Sequence, residues 1–302
     1  MTLTTLVLGF VTGLAFASIY VLIAISFTLV LAASGVFNFA QGTIVMLGTI
    51  GAYLLSVKLG WPAMAMVAVV GAAGALAGIV NHVVAVRPAI GRSKSFSHTT
   101  MLTTLGLGTG VNALVALVFG SDSYRVPSFV PEDPLMVFSI PLRPTYLLMI
   151  AVGTVVTIAV EWVVRRTSIG HMLRVTLEDP EGARLLGIDT RKVIALSFAL
   201  AGVMSALAGV LIVPTIGASA FTAQELAFYG FAGMAIGGFG SFAGSLAGGL
   251  VVGLIVGLTP AFGNPHASVP MIWAMVVITL LVKPAGLLGA AGLFGSARLR
   301  DV

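Results

Sequence analysis

The chain has 302 residues, of which 58% are hydrophobic and 8% charged, with a net charge of +5 and no cysteine. A soluble domain is roughly a quarter charged, so this composition excludes an ordinary soluble globule and points to an all-α polytopic membrane protein. The absent cysteine excludes disulfides, thiolate metal sites and a cysteine nucleophile. The basic residues sit at the ends of apolar runs, which is a membrane-orientation pattern and not a nucleic-acid patch.

A transmembrane helix needs about 20 apolar residues. Candidate spans are 6–31, 37–57, 62–86, 98–120, 145–164, 193–214, 226–241, 243–262 and 268–284. The first is long and the seventh short, so eight or nine spans are expected, in one domain over residues 1–302. Met1 to Thr5 lacks the basic region of a signal peptide, and the run Leu6–Ala33 is too long for one. It reads as a retained first span.

In chain order, the first feature is an interruption. Ser34–Gly35 precedes Asn38-Phe39-Ala40-Gln41-Gly42, and Gly237-Gly238-Phe239-Gly240-Ser241 interrupts the other half. Such segments predict broken or re-entrant helices, as in transporters with discontinuous spans. Asn38 and Gln41 would either line a pathway or satisfy backbone groups freed by the break. In the third span Gly71, Gly74 and Gly78 fall near one face, and Gly244, Gly248, Gly249, Gly253 and Gly257 run down the eighth. Small residues at this spacing predict tight helix packing within the chain. Thr103, Thr104 and Asn112 in the fourth span are weaker pathway candidates, because Thr often bonds back to its own helix.

Orientation follows from Lys and Arg in the loops. Arg87, Arg92 and Lys94, then Arg165, Arg166, Arg174, Arg184, Arg191 and Lys192, then Lys283, Arg298 and Arg300 fall on one side. Only Lys58, Arg125 and Arg143 fall on the other. The positive-inside rule makes the first side, with the C-terminus, cytoplasmic. Loop 121–144, rich in proline and acid, is then external, and nine crossings put the N-terminus outside.

Residues 165–192 carry 10 of the 25 charged side chains, whereas 193–282 carry only Glu225. Within this loop, 179–187 is written as a short helix. Asp179 suits the N-cap, Pro180 the first helical position, Glu181 the positive end of the dipole, and Gly187 the left-handed position past the end. So short a helix is marginal alone, and Ala183, Leu186 and Ile188 need an apolar cover. It is either a connector resting on this protein's own helix ends or a docking helix for a soluble partner. Glu225 reads either as a pathway residue or as a carboxylate at a helix start, with Thr222 as the cap.

No Gly-Xaa₄-Gly-Lys-Ser/Thr phosphate loop is present; the four lysines are Lys58, Lys94, Lys192 and Lys283, and none follows a glycine. His82, His98, His171 and His266 form no ligand cluster, and His82 and His98, flanking the first basic loop, read as interface residues. No metal site and no catalytic residues are expected.

The loop resembles the cytoplasmic loop of permease subunits of branched-chain amino acid ABC transporters, the LivH-type family. Ile19-Tyr20-Val21-Leu22-Ile23-Ala24 resembles its Tyr-Ala-Leu-Ala pattern, and Asn38-Phe39-Ala40-Gln41-Gly42 its Asn-Phe-Ala-His-Gly, with Gln41 where His is usual. Ala201-Gly202 and Ala208-Gly209-Val210-Leu211 match the span after the loop. Gly237-Gly238-Phe239-Gly240-Ser241-Phe242-Ala243-Gly244 and Lys283-Pro284-Ala285-Gly286-Leu287-Leu288-Gly289 resemble two further segments. The resemblance implies a transmembrane permease subunit of an ATP-driven importer in the bacterial cytoplasmic membrane. Its implied partners are a homologous second permease, two ATPase subunits that use ATP and magnesium, and an extracytoplasmic binding protein. No cofactor is implied in this chain. The implied coupling residues are Glu178, Asp179, Pro180, Ala183, Arg184, Leu186, Gly187 and Ile188. Pathway candidates are Asn38, Phe39, Gln41, Thr103 and Glu225. The implied cargo is a branched-chain or related hydrophobic amino acid, with urea, amides or small carboxylates as alternatives. A stand-alone ion-driven transporter is the rival, but it needs titratable groups at mid-membrane, and only Glu225 is available.

Overall fold

The computed structural model describes residues 3–90, 96–137, 140–178 and 180–289. The long helices are α1 (Leu3–Ser34), α2 (Gln41–Tyr53), α3 (Ala63–Asn81), α5 (Phe96–Phe119), α6 (Pro144–Arg166), α9 (Thr190–Ile216), α10 (Thr222–Gly237), α11 (Phe242–Leu258) and α12 (Ser268–Val282). Short helices α4 (Arg87–Ile90), α7 (Ser168–Glu178) and α8 (Pro180–Leu185) lie in connections. Wide helical turns extend α2 to Lys58 and α3 to Val86. Among the described residues, seven helices are long and apolar enough to cross a membrane. The other two, α2 and α10, are the interrupted ones, shortened by the breaks read in the sequence. The chain is thus an all-α multi-pass membrane protein. Among the described residues the strands form one small antiparallel hairpin, β1 (Leu135–Val137) with β2 (Ile140–Leu142), in the expected external loop.

Helix α1 is the axis of the bundle. It touches α6, α9, α10 and α11, and 78% of its most apolar window is buried, against 11% for α5. Glycines set the spacing. Gly9 and Gly13 of α1 lie against Gly257 and Leu254 of α11, while Gly249 and Gly253 lie against Val21 and Ala17. On the other side, Gly74 and Gly78 of α3 face Gly202 and Phe198 of α9. Lipid offers no hydrophobic drive for helices to associate, so backbone contact of this kind supplies the attraction. A methyl group at Gly253, Gly78 or Gly202 would overlap backbone atoms of the facing helix. The expectation of packing within the chain is therefore met.

These contacts also give direction. Helices α1 and α11 run antiparallel, as do α3 and α9, whereas α2 runs parallel to α9. Leu3 lies at the end that carries the β-hairpin, and Lys283 at the end that carries Arg87, Arg165, Arg184 and Arg191. We call these the hairpin end and the basic end. At the hairpin end Tyr124 and Ala218 exchange two backbone hydrogen bonds of 2.8 Å, and the Tyr124 ring stacks on Tyr53.

The break between α1 and α2 is held by a buried polar knot. Asn38 donates from Nδ2 to Gln41 Oε1 at 3.0 Å, and its Oδ1 accepts from Ala40 N and from Asn81 Nδ2 of α3. Gln41 donates from Nε2 to Ala201 O and Ser205 Oγ of α9, and Ser205 donates on to Ser26 of α1. Thr104 of α5 accepts from Phe39 N. The second break, Gly238–Ser241, is closed differently. Residues 283–289 fold back, and Leu287 N and Leu288 N donate to Ile236 O and Gly237 O at the end of α10. Gly286 (φ 80°) meets Gly238 (φ 128°) there at a separation that leaves no room for a side chain.

Two outcomes are expected. Gly253→Val should cost about 1–3 kcal/mol by overpacking. Gly71→Ala, whose added carbon would meet nothing closer than 3.8 Å, should be neutral or slightly stabilising. Thermal unfolding of the two variants in detergent separates them. Gln41→Leu strands the Asn38 amide in the core and should lower stability by about 1–3 kcal/mol in the same assay.

Candidate functional site

Two places on the bundle are built for more than packing. The first is the connection from α6 to α9 at the basic end. Thr167 ends α6, and Gly170 sits so close to the Val164 carbonyl that no larger residue fits. Helix α7 therefore doubles back sharply, and Arg174 donates to the Val164 and Arg165 carbonyls, satisfying acceptors that the end of α6 leaves open. Helix α8 begins at Pro180, as the sequence predicts; Asp179, read as its cap, lies outside the described residues. The helix closes in a Schellman motif: Ile188 N donates to Ala183 O, Gly187 N to Arg184 O, and Gly187 takes φ 79°. Asp189 then caps α9 by accepting from Arg191 N and Lys192 N. The Lys192 backbone N–H and side chain, with the Arg191 N–H, hold the Asp189 carboxyl below the usual carboxylate range.

This knuckle covers only part of its apolar surface. Ala183 is buried, as is Leu173 of α7, while Ile188 is half-buried. Leu186, expected to find a cover, is 74% exposed, and Leu185 is 90% exposed. The reason is geometric. Ala183 takes the buried face of the short helix, and Leu185, its last residue, and Leu186, just before the Schellman glycine, lie off that face. Arg184 is exposed and donates to Thr190 Oγ1. For Glu178 and Pro180 only the backbone is described. Leu185 was not singled out from the sequence; two adjacent leucines before a left-handed glycine are the signal that could have found it.

The second place is a cavity of about 540 Å³ between α2, α5, α10 and α12. Its lining includes Phe27, Phe39, Thr43, Asn112, Gln224, Phe228, Phe231 and Trp273. The Phe228 and Trp273 rings lie 4.2 Å apart. Toward the basic end Phe37 packs edge-on against Phe231 and Phe239, so the two helix breaks meet there.

The pathway candidates separate on this geometry. Phe39 lines the cavity. Asn38 and Gln41 are buried in the polar knot and do not line it. Thr103 donates to Ala85 O and Thr100 O, outside the cavity. Glu225 is exposed in the first turn of α10, accepts from Tyr229 Oη at 3.2 Å, and is not among the lining residues. Thr222 does not cap α10. Its hydroxyl donates to Ser219 O instead, because Phe221, not Thr222, occupies the cap position. His82 is buried against the Phe198 ring. A further cleft, of about 610 Å³, opens at the hairpin end and is lined by Arg125, Glu132 and Arg143 among others.

Residues 9–282 match the family model described as branched-chain amino acid transport system / permease component. The chain is 29% identical over 291 residues to the high-affinity branched-chain amino acid transport system permease protein LivH of Escherichia coli K12, covering 92% of this chain and 93% of that one. It is 27% identical over 299 residues to the permease protein BraD of Pseudomonas aeruginosa, covering 92% and 94%. A third relative, 25% identical over 294 residues, is the probable LivH of Methanocaldococcus jannaschii, covering 91% and 90%. With nearly the whole length matched, a bundle of apolar helices with two interrupted spans and a knuckle at one end is explained by one assignment: the chain belongs to the permease-component family of branched-chain amino acid transport systems.

Proposed function

We propose that this chain moves branched-chain or related hydrophobic amino acids across the bacterial cytoplasmic membrane as one half of a permease pair. The basic end faces the cytoplasm and the hairpin end faces outward, as the charge asymmetry requires. ATP and magnesium are bound and used by two separate ATPase subunits, since this chain has no phosphate loop. An extracytoplasmic binding protein delivers cargo to the hairpin end, where loop 121–144 stands. The second permease is a homologue of this chain.

The single observation that carries this reading is the knuckle. Leu185 and Leu186 stand exposed at the end of a short helix that the chain closes with a C-terminal Schellman turn. Exposed leucines on a rigid mount, flanked by Arg184 and Arg191, suit insertion into a groove on a soluble partner. Asp189 ties that mount to α9, and α9 holds Gln41 at the helix break. A rigid element thus runs from the docking point to the interrupted span. Coupling then requires that the ATPase pair, when closed on ATP, favour one arrangement of the permease over the other.

In the reconstituted assembly, Leu186→Asp and Gly187→Arg should abolish cargo-stimulated ATP hydrolysis while the chain still inserts and assembles with its sister permease. Normal stimulation in both variants would show that docking happens elsewhere. Glu225→Gln should leave uptake within about twofold of normal, because the carboxylate lies off the cavity. Loss of uptake in that variant, together with ATP-independent transport by the unsubstituted protein, would instead favour an ion-driven carrier.

A further inference from the structure

The end of α6 carries a pattern that neither the exposed leucines nor the cavity uses. Helix α6 buries one face, where Met149, Gly153, Thr157, Val160 and Val164 recur every three or four positions. On the opposite face Val155, Ile158 and Trp162 stand exposed. In a bilayer such a stripe meets acyl chains. Arg166 follows Trp162 by four positions and so continues the same line, and Arg165 and Arg166 are both exposed at the basic end. A tryptophan at headgroup level with arginine one turn beyond it marks where a helix leaves lipid. Arg165 is partly committed, because its Nε donates to Glu161 Oε1 at 3.0 Å. Arg166 has no acidic partner among the described residues.

Helix α7 adds an apolar part. It touches α1, α6 and α9, and its Leu173 is buried. Ile169 and Met172, three positions apart, are exposed on its other side. Ile169 comes three residues after Arg166, so the two backbones lie within about 11 Å. The outer side of α7 thus sets apolar side chains beside the arginines, as helices lying in a membrane interface do.

We infer that the elbow between α6 and α7 is an anionic-lipid site, in which Arg165 and Arg166 hold the headgroup phosphate and Ile169 and Met172 rest against the upper acyl carbons. Guanidinium groups suit phosphate, because their planar fork of N–H donors meets two oxygens at once. An anionic headgroup is preferred to a zwitterionic one, which would bring its own cation to a place already holding two. Lipid is preferred to a soluble partner because the patch continues the exposed stripe of α6, whereas Leu185 and Leu186 belong to the separate helix α8 and its closing turn. Helix α7 leads directly into α8. A lipid bound at the elbow therefore fastens one end of the charged connection to the membrane surface.

Trp162 reports on the site. The full chain, with Trp61 and Trp273 replaced by Phe, is reconstituted with its partner subunits in vesicles of equal phosphatidylglycerol and phosphatidylcholine. Bromine is placed on the acyl chains of one lipid at a time. Brominated phosphatidylglycerol should quench Trp162 more, corresponding to a preference of roughly fivefold, the effect of one unshared basic charge near the surface. Salt at about 1 M should remove most of it. Arg166→Gln should lower the preference, Arg166→Lys should keep part of it, and Arg165→Gln with Arg166→Gln should abolish it. Equal quenching by the two lipids in the unsubstituted elbow, or a preference that survives the double substitution, would overturn the assignment. So would quenching by neither lipid, the result expected if the second permease covers this face. Met172→Trp, as the sole tryptophan, tests the apolar half and should be quenched as well. Shielding from bromine, with an emission shift when the ATPase subunits are stripped away, would give α7 to the soluble partner and overturn the lipid site. Both vesicle leaflets carry the same lipids, so the outcome depends neither on the direction of insertion nor on the cargo.

Discussion

Inside a bilayer no water is available to bond a free peptide group, so every interruption of a helix must be repaired by the protein itself. Two interruptions fall among the described residues, and they are repaired by different means. At the first, side chains do the work: Asn38 turns its amide to the backbone of Ala40 and to Gln41, and Gln41 reaches across to α9. At the second, backbone repairs backbone, as Leu287 and Leu288 return to the last carbonyls of α10. The glycines at 238 and 286 are needed there because two chains cross where a side chain on either would collide.

The repaired breaks lie beside a half-open cavity, whose wall includes the exposed Phe221 and Trp273, in a bundle otherwise packed to backbone contact. Shortening α2 and α10 leaves room between them. Phe37, Phe231 and Phe239 close that room toward the basic end, where the breaks touch. Helix α9 connects this closure to the knuckle, because its first turn is capped by Asp189 and its middle carries Ala201 and Ser205, the partners of Gln41. Helix α9 therefore runs from the knuckle to the polar knot at the first break. The glycine seams against α3 and α11 bring backbones into contact, with no side-chain layer between the helices.

Much of the fold was legible beforehand. Apolar runs gave the helices, Gly71 to Gly78 and Gly244 to Gly257 gave the close-packed faces, and Pro180 with Gly187 gave the bounds of the short helix. These signals are local, depending on hydropathy, propensity or backbone freedom at single positions. The site was harder to read. Asn38 and Gln41 drew attention as polar residues in a span, yet their partners lie on α3 and α9, far along the chain. The exposure of Leu185, the last residue of the short helix, depends on which face of that helix packs against the chain, and no local signal states that. Thr222 was read as a cap on residue type alone, but the helix begins one residue earlier than that role requires.

The sequence by itself determined that the protein lives in a membrane, which end is basic, where the helices break and where a short helix sits in the charged connection. Composition and charge placement are properties of the chain, and no folding is needed to state them. Only the tertiary structure decided which polar groups are satisfied and which are left over. Asn38, Gln41, Thr103 and Asn112 look alike as polar residues in apolar runs. Three of them find partners across the bundle or on their own helix, and the Asn112 Oδ1, at the wall of a cavity, does not. The distinction depends on distances between helices, which no single segment encodes. In the same way, the charged connection holds many candidate contacts, but only packing showed that Ala183 is turned inward and Leu185 and Leu186 are offered outward.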